Sequence, residues 1–337
     1  MYIRGHEWMR HLVRSGSKPW LLRCLPTSHA RRCNSSLTVA AENVAALDRW
    51  IESTSKLQLH STDTLRAEHL SDLYITLPTR NAIPGRWGSG TPPPHFPLGY
   101  GHHLVFFHPR NPESALRPDG TDADFCPPEP WTRRMWAGGR MVWKEPLSIG
   151  ENVTASSMID SVEKKGFDKG SPMVFVNQKI QYRKNDAHQG QAAIVEERSH
   201  VYLAAPGNRR GIRKVDGIPV DPDYQFKYLP SATTLFRFSA LTFNAHFIHL
   251  DREYAVKEGY PERLVHGPLT ALMLLEAFSL YSPNAKLKSF EYRAVNPLVV
   301  NRYVVIHGKE DKHRGVVQVW AEDADTRAVG MVGRIHL

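Results

Sequence analysis

The alternation of apolar and polar positions changes along the chain, and the changes outline its elements. Residues 41–53 place Val44, Leu47 and Ile51 at helical spacing, which predicts a short amphipathic helix capping a first domain. Residues 64–73 form a second, weaker helical patch. Residues 78–130 are dense in Pro and Gly, with Pro92-Pro93-Pro94 and Pro127-Pro128 among them, and read as loops around one strand at 100–107. From Trp131 strand composition takes over at 135–143, 153–162, 173–182 and 192–203, with turns at Gly138-Gly139, 164–170 and 185–190. A polar, Pro/Gly/Arg-containing stretch at 205–230 reads as a linker. Residues 235–242 are apolar, β-branched and aromatic, partly alternating, and predict a strand.

The next run is of another kind. Leu269, Leu272, Met273, Leu274, Leu275 and Phe278 cover most of a helix circumference, which marks a helix buried on all sides. Glu276 interrupts it, so it is a poor membrane span. Pro268 suits a first helical turn because its missing N–H costs nothing there. Gly267 can take the unusual dihedrals of a tight turn into the helix. Strands return at 290–294, 303–308, 316–322 and 328–335. Residues 140–153 and 290–303 share one order, strand, Pro-Leu turn, strand, and each precedes two further strands: a weak internal repeat. By composition alone the chain is α+β.

With 337 residues, 41% hydrophobic and 23% charged, the chain has the makeup of a globular protein of about two domains. Its net charge of +9 is unevenly spread. Residues 1–40 carry seven Arg or Lys against Glu7 alone, a net +6. Arg-rich, Ser-containing and acid-poor, this stretch reads as a mitochondrial transit peptide, and implies the matrix. Without it little charge remains to argue for nucleic acid, and no nucleic-acid motif occurs. The three cysteines, Cys24, Cys33 and Cys126, allow neither a disulfide framework nor a zinc site.

Between the predicted strand at 235–242 and the buried helix lies a polar knot of Asn244, His246, His249 and Asp251, followed by His266-Gly267. This stretch resembles the hydratase motif of the MaoC-like, hot-dog-fold enoyl-thioester hydratases. Their pattern runs Ser-Gly-Asp-x-Asn-Pro-x-His-x-Asp, then Phe/Tyr-Ala, a Gly with an aromatic residue, and His-Gly before a central helix. Here the last His falls on His249, Tyr254-Ala255 and Gly259-Tyr260 follow, and His266-Gly267 closes it. Asn244 stands where the pattern has Asp, and His246 where it has Asn. The variant is most similar to the mitochondrial type 2 3-hydroxyacyl-thioester dehydratases and the C4-dicarboxyl-CoA hydratases.

The resemblance implies a tandem hot-dog fold, each antiparallel sheet wrapped round a helix. The expected division is a presequence at 1–40, a non-catalytic first unit at 41–204 that shapes the acyl tunnel, a linker at 205–230, and a catalytic unit at 231–337. It implies dehydration of (R)-3-hydroxyacyl thioesters to trans-2-enoyl thioesters in mitochondrial type II fatty-acid synthesis. The substrate would arrive on acyl carrier protein or coenzyme A, no cofactor or metal would be needed, and a homodimer is compatible. Two other readings stay open: a hydratase of short branched dicarboxyl-CoA esters, and a non-catalytic thioester-binding subunit, since the motif Asp is missing. A thioesterase would need a carboxylate nucleophile or base, and none is found in the knot, whose Asp251 reads as a helix cap.

The residue types suit this chemistry. An imidazole can move a proton near neutral pH, which makes His249 the principal acid/base. Asn244 would orient the water or hydroxyl, and His246 would be a second base, a donor or a structural residue. The buried helix start at Gly267 offers N–H groups to a thioester oxygen gaining charge, with His266 bracing it. Asp251 reads as the cap of a following helix. Arg209, Arg210, Arg213 and Lys214 are the preferred basic cluster for the carrier or its phosphates; Arg133-Arg134 is a weaker one, of the kind usually solvated. Gly101-His102-His103 reads as a strand-end pair and not a metal site. The Asp-rich run from Asp119 to Asp124 reads as a turn, because it lacks the ordered ligands of a calcium loop.

Overall fold

A computed structural model describes residues 40–80, 90–185, 190–204 and 211–337. The basic N-terminal stretch up to residue 39, Arg209 and Arg210 lie outside the described residues. In the first part α1 (Ala41–Thr54), β1 (Gln58–Thr64) and α2 (Ala67–Tyr74) lead through 3₁₀ turns to β2 (Trp131–Trp143), β3 (Asn152–Lys165), β4 (Met173–Lys184) and β5 (Ile194–Ala204). Then come β6 (Tyr224–Tyr228), α3 (Ala232–Leu241), α4 (Phe247–Leu250), α5 (Arg252–Lys257) and α6 (Gly267–Tyr281). The chain ends with β7 (Ser289–Ala294), β8 (Val304–Asp311), β9 (Val316–Asp323) and β10 (Val329–His336).

The strands make one ten-stranded sheet, ordered β1-β3-β4-β5-β2-β7-β10-β9-β8-β6, with every pairing antiparallel. From either edge inward the order is the same: β1-β3-β4-β5-β2 repeats as β6-β8-β9-β10-β7. The halves meet where β2 pairs with β7, from Gly138 opposite Arg293 to Val142 opposite Ser289. The two Pro-Leu turns of the sequence repeat each follow one of these seam strands. This is the double hot-dog architecture.

The halves differ in what lies between their first two strands. In the second half α6 buries every residue from Leu269 to Phe278 and touches β2, β6, β8, β9 and β10, so one helix fills the core of both halves. In the first half the corresponding described span holds only α2 and short turns. Glu276, on the buried helix, is matched from that side: Arg80 Nη2 at 3.0 Å, His102 Nε2 at 2.8 Å and the Thr79 hydroxyl at 2.8 Å. A smaller core joins Leu47 of α1 to Phe125, Trp131, Val174, Val176 and Tyr202, which seats α1 as the expected cap.

Three expectations change. Residues 235–242 are helix, not strand: Ser231 Oγ accepts the Thr234 N–H at 3.1 Å, Thr234 Oγ1 accepts the Ser231 N–H at 3.3 Å, and this capping box starts α3. Leu235, Phe238 and Leu241 then share its buried face. Residues 100–107 form a buried 3₁₀ turn at His102–Val105 and not a strand. Gly101 takes φ +84° there, and a Cβ on it would sit 2.9 Å from Leu275 Cδ1, so the glycine lets this turn press against α6. The expected linker contains β6, which pairs with β8 and completes the repeat.

Candidate active site

α3 ends at the polar knot, and its last turn organises it. The Asn244 N–H donates to the Ser239 carbonyl at 2.8 Å, and Asn244 Oδ1 accepts the His246 N–H at 3.0 Å. His249 follows on α4. Its Nδ1 lies 2.8 Å from the Leu264 carbonyl oxygen. A carbonyl can only accept, so Nδ1 carries the proton and Nε2 holds the lone pair. Behind it the His266 ring stacks at 3.7 Å and 22°. His266 is fully buried, its Nε2 is 2.9 Å from Ser239 Oγ, and it is absent from the cavity wall. It therefore supports the His249 ring and the start of α6 from behind. Asp251 caps α5, accepting the N–H groups of Glu253 at 2.7 Å and Tyr254 at 3.1 Å.

The first half reaches into the knot through the run from Asp119 to Asp124, whose sequence predicts no more than a turn. The Asp119 carbonyl accepts the Phe247 N–H at 3.0 Å. Gly120, at φ +80°, lies so close that a Cβ would be 2.2 Å from the Ala245 oxygen. The Asp119 carboxylate accepts from the Thr121 N–H and hydroxyl, has Arg117 at 3.6 Å, and stands 3.9 Å from His246 Nε2. A carboxylate thus sits beside the knot although the motif position holds Asn244. No local pattern could have pointed to it, because the partners are 127 residues apart in sequence.

At α6 the first N–H groups have no intrahelical acceptor. Gly267, Pro268 and Thr270 line the cavity. Gly267 is not in the left-handed region, so it does not adopt the unusual dihedrals expected of it. Its role is space: a Cβ would fall 2.8 Å from Trp136 Cγ, so only glycine lets the helix start lie against β2.

Asn244, His246, His249 and Gly267 share one cavity of approximately 1320 Å³. The first half contributes Leu104, Phe106, Ala155, Ile180 and Tyr182 to its wall. Burial lowers the His249 pKa to about 4; the Leu264 carbonyl opposes the shift and the Arg134 charge adds to it. His246 is also held well below the usual histidine value, by burial first and then by His249, Arg134 and Arg117. Burial, with His249 and His246, does the same to His266. All three rings are therefore neutral at neutral pH, and His249 offers a free base. Arg213 is exposed and lines the cavity; Lys214 is exposed beyond the lining. The His102-His103 pair sits in the buried turn, facing Glu276 and Glu196, and no metal-holding group of His, Cys, Asp or Glu occurs among the described residues. No helix among them is long and apolar enough to cross a membrane.

Known proteins resemble this chain in sequence and in fold. The family model described as hydroxyacyl-thioester dehydratase type 2 matches residues 101–300. The chain is 36% identical over 214 residues to a mesaconyl-C(4)-CoA hydratase of Chloroflexus aurantiacus, a match covering 62% of this chain and 74% of the relative. It is 32% identical over 232 residues to a mitochondrial hydroxyacyl-thioester dehydratase type 2 of Schizosaccharomyces pombe, covering 60% and 74%. A MaoC-like dehydratase from Phytophthora capsici shares the fold with a TM-score of 0.60 at 13% identity, over 85% of this chain and 97% of that one. A Mycobacterium tuberculosis protein described as a double hotdog fold has a TM-score of 0.51 at 12% identity, over 83% and 94%. The family match starts before the Asp119 loop and runs past α6, taking in both segments that close on the cavity, and on that extent the chain belongs to the hydroxyacyl-thioester dehydratase type 2 family.

Proposed function

We propose that the chain is a hydro-lyase that interconverts (R)-3-hydroxyacyl and trans-2-enoyl thioesters. The observation that carries this reading is a neutral His249, with its lone pair on Nε2, in the same cavity as the N–H groups opening α6. In the hydration direction His249 removes a proton from water as the water oxygen bonds to C3. The C2=C3 electrons move toward the thioester, whose oxygen becomes negative at the Gly267 end of α6. The proton then returns to C2, and water has been added across the double bond. Asn244 orients the water, since an amide is no base at this pH. His246, beside Asp119, is a second polar contact for the hydroxyl. The first half, without a long helix, widens the cavity for the acyl chain. The relatives named above are hydratases and dehydratases, which supports the reaction class.

The cellular setting we infer is mitochondrial fatty-acid synthesis. The basic, acid-poor N-terminal stretch supports the mitochondrial part of this reading, as does the Schizosaccharomyces pombe relative named as mitochondrial. Exposed Arg213 and Lys214 are suited to the phosphate or acidic surface of the carrier. A second reading, hydration of a short dicarboxyl thioester, is favoured by the half-buried Arg134 in the cavity wall. The test is His249→Ala assayed with crotonyl-CoA and with 3-hydroxyacyl thioesters on both carriers. Loss of a positioned acid/base costs about 10²–10⁴-fold in turnover, with an unchanged melting transition. Retained turnover removes His249 from its role; no turnover by the wild type leaves the thioester-binding, non-catalytic reading.

A further inference from the structure

His246 sits between two residues that are both fastened to the first half. The Phe247 N–H donates to the Asp119 carbonyl at 3.0 Å, and Gly120 packs against the Ala245 oxygen. These two contacts bracket position 246 and fix the Asp119 carboxylate against the His246 ring. Asp119 is 8% exposed and is not part of the cavity wall, whereas His246 is 9% exposed and is. Seen from the cavity, the carboxylate stands behind the ring.

Each of the two groups has an unused position, and these positions face each other. Asp119 Oδ1 accepts the Thr121 N–H at 3.0 Å and the Thr121 hydroxyl at 2.6 Å. Oδ2 has Arg117 Nη1 at 3.6 Å and His246 Nε2 at 3.9 Å, both just beyond hydrogen-bond length. The His246 ring makes no hydrogen bond among the described residues; its neighbours are the rings of His249 at 5.5 Å and Tyr254 at 6.2 Å, both edge-on. A buried carboxylate oxygen and a buried imidazole left without partners are costly. Contacts of this kind are often long in an empty site and tighten around substrate, and closing this one satisfies both groups.

Protonation decides what the contact does. Burial, then His249, Arg134 and Arg117, keep His246 neutral. A neutral imidazole has one N–H and one lone pair, and a carboxylate can only accept. Nε2 therefore carries the proton toward Asp119, and Nδ1 keeps the lone pair. We infer that Asp119 is a positioning residue that fixes His246 in the Nε2–H tautomer, so that His246 Nδ1 and His249 Nε2 accept the two hydrogens of one water. A water held in this way turns a lone pair toward C3. In the opposite tautomer Nδ1–H would donate to the water and occupy the electrons needed for the attack. The proton balance is that of the hydration step above: His249 takes the proton, C2 receives it, and His246 neither gains nor loses one. The inference rests on the hydro-lyase reading; it gives His246 a defined tautomer and gives Asp119, from the first half, a part in turnover.

The test compares full-length wild type with Asp119→Asn, His246→Gln and the double variant in steady-state hydration of crotonyl-CoA. Melting curves check folding, and nitrogen NMR of isotope-labelled histidine reads the His246 tautomer. Asparagine keeps an oxygen for Thr121 but offers an N–H to His246 where the carboxylate accepted one. Either single variant is expected to lose on the order of 100-fold in kcat, with KM changed much less. The double variant should be no slower than His246→Gln, because Asp119 acts through that ring. The wild-type ring should read as Nε2–H, and the Asp119→Asn ring as Nδ1–H. A full further loss when Asp119→Asn is added to His246→Gln would make Asp119 merely structural and overturn the proposal; so would wild-type kcat in Asp119→Asn. If Asp119→Asn does not fold, the wild-type tautomer decides: Nε2–H upholds the proposal and Nδ1–H overturns it. No turnover by wild type overturns the hydro-lyase reading itself, while the tautomer still tests the Asp119–His246 contact.

Discussion

Gly267→Ala isolates the helix start from the rest of the cavity. The backbone at 267 is not left-handed, so an alanine there carries no dihedral strain. What it meets is Trp136, whose Cγ, Cβ and Cδ1 would lie 2.8, 2.9 and 2.9 Å from the new methyl. Carbon atoms prefer about 3.5–4.0 Å, so helix and ring must part by roughly 1 Å. Trp136 has little room to retreat, since its strand is paired to β5 at this point and His200, its partner there, packs edge-on against the ring at 5.1 Å. The helix start therefore moves, and with it the N–H groups offered to the thioester oxygen. A misplacement of that size costs about 10²-fold in rate, and overpacking costs about 1–3 kcal/mol in stability. The assay is steady-state hydration of crotonyl-CoA beside thermal or urea unfolding. We expect kcat to drop about 100-fold with KM changed much less, because the oxygen carries its charge only in the transition state. Trp136→Leu in the same chain makes room and should restore part of kcat. A Gly267→Ala protein with wild-type kcat and an unshifted unfolding transition would refute the reasoning; so would a double variant no better than the single one.

Three further outcomes follow from described contacts. His249 titrates at about 4, below the usual histidine value, so its base form persists as the pH falls; kcat/KM for hydration should stay level from pH 8 to about 5 and drop only below it, whereas a break near 6.5 would mean the ring is solvated. Gly120→Ala puts a side chain on a left-handed backbone and against the Ala245 carbonyl, so stability should fall by about 1–3 kcal/mol and turnover with it, read by unfolding and kinetics together. Glu276→Ala leaves Arg80 and His102 facing an emptied buried site and should cost about 3–5 kcal/mol at pH 7. The Glu276 carboxyl is held far below its ordinary value: burial opposes this, and His102 and Arg80 overcome it. Its contribution is thus complete above pH 4.5 and fades on acidification toward the folded-state pKa, so the gap between variant and wild type in urea unfolding should narrow at low pH.

The strands of the sheet were legible because they carry their own composition, and α6 because it is apolar all round. The Pro146-Leu147 and Pro297-Leu298 turns gave away the repeat, since each follows one of the two seam strands, β2 and β7. Where the local pattern misled, the deciding contact lay outside the stretch itself. Residues 235–242 carry two Leu and two Phe in a partly alternating pattern, which suits a strand, yet the capping box at Ser231 and Thr234 decides for helix. The turn at 102–105 depends on Gly101 lying against Leu275, a contact 174 residues away in sequence. At the site the histidines and Gly267 were found through a contiguous motif. Asp119 and Arg134 were not, because they come from the other half and only the folded sheet brings them to the cavity.

One long helix serving two five-stranded halves has a consequence for how such a protein can vary. Two identical chains pairing through the same edge would be bound by symmetry: any residue that enlarged one binding chamber would enlarge its twin, at the cost of both hydrophobic interiors. Fusing the copies lifts that bond. The second copy keeps the rod of apolar side chains and the chemistry at its tip, while the first is free to exchange bulk for volume and to bring in charges such as Arg134. Selectivity and reactivity then sit on separate stretches of one polypeptide, and each can drift without disturbing the other.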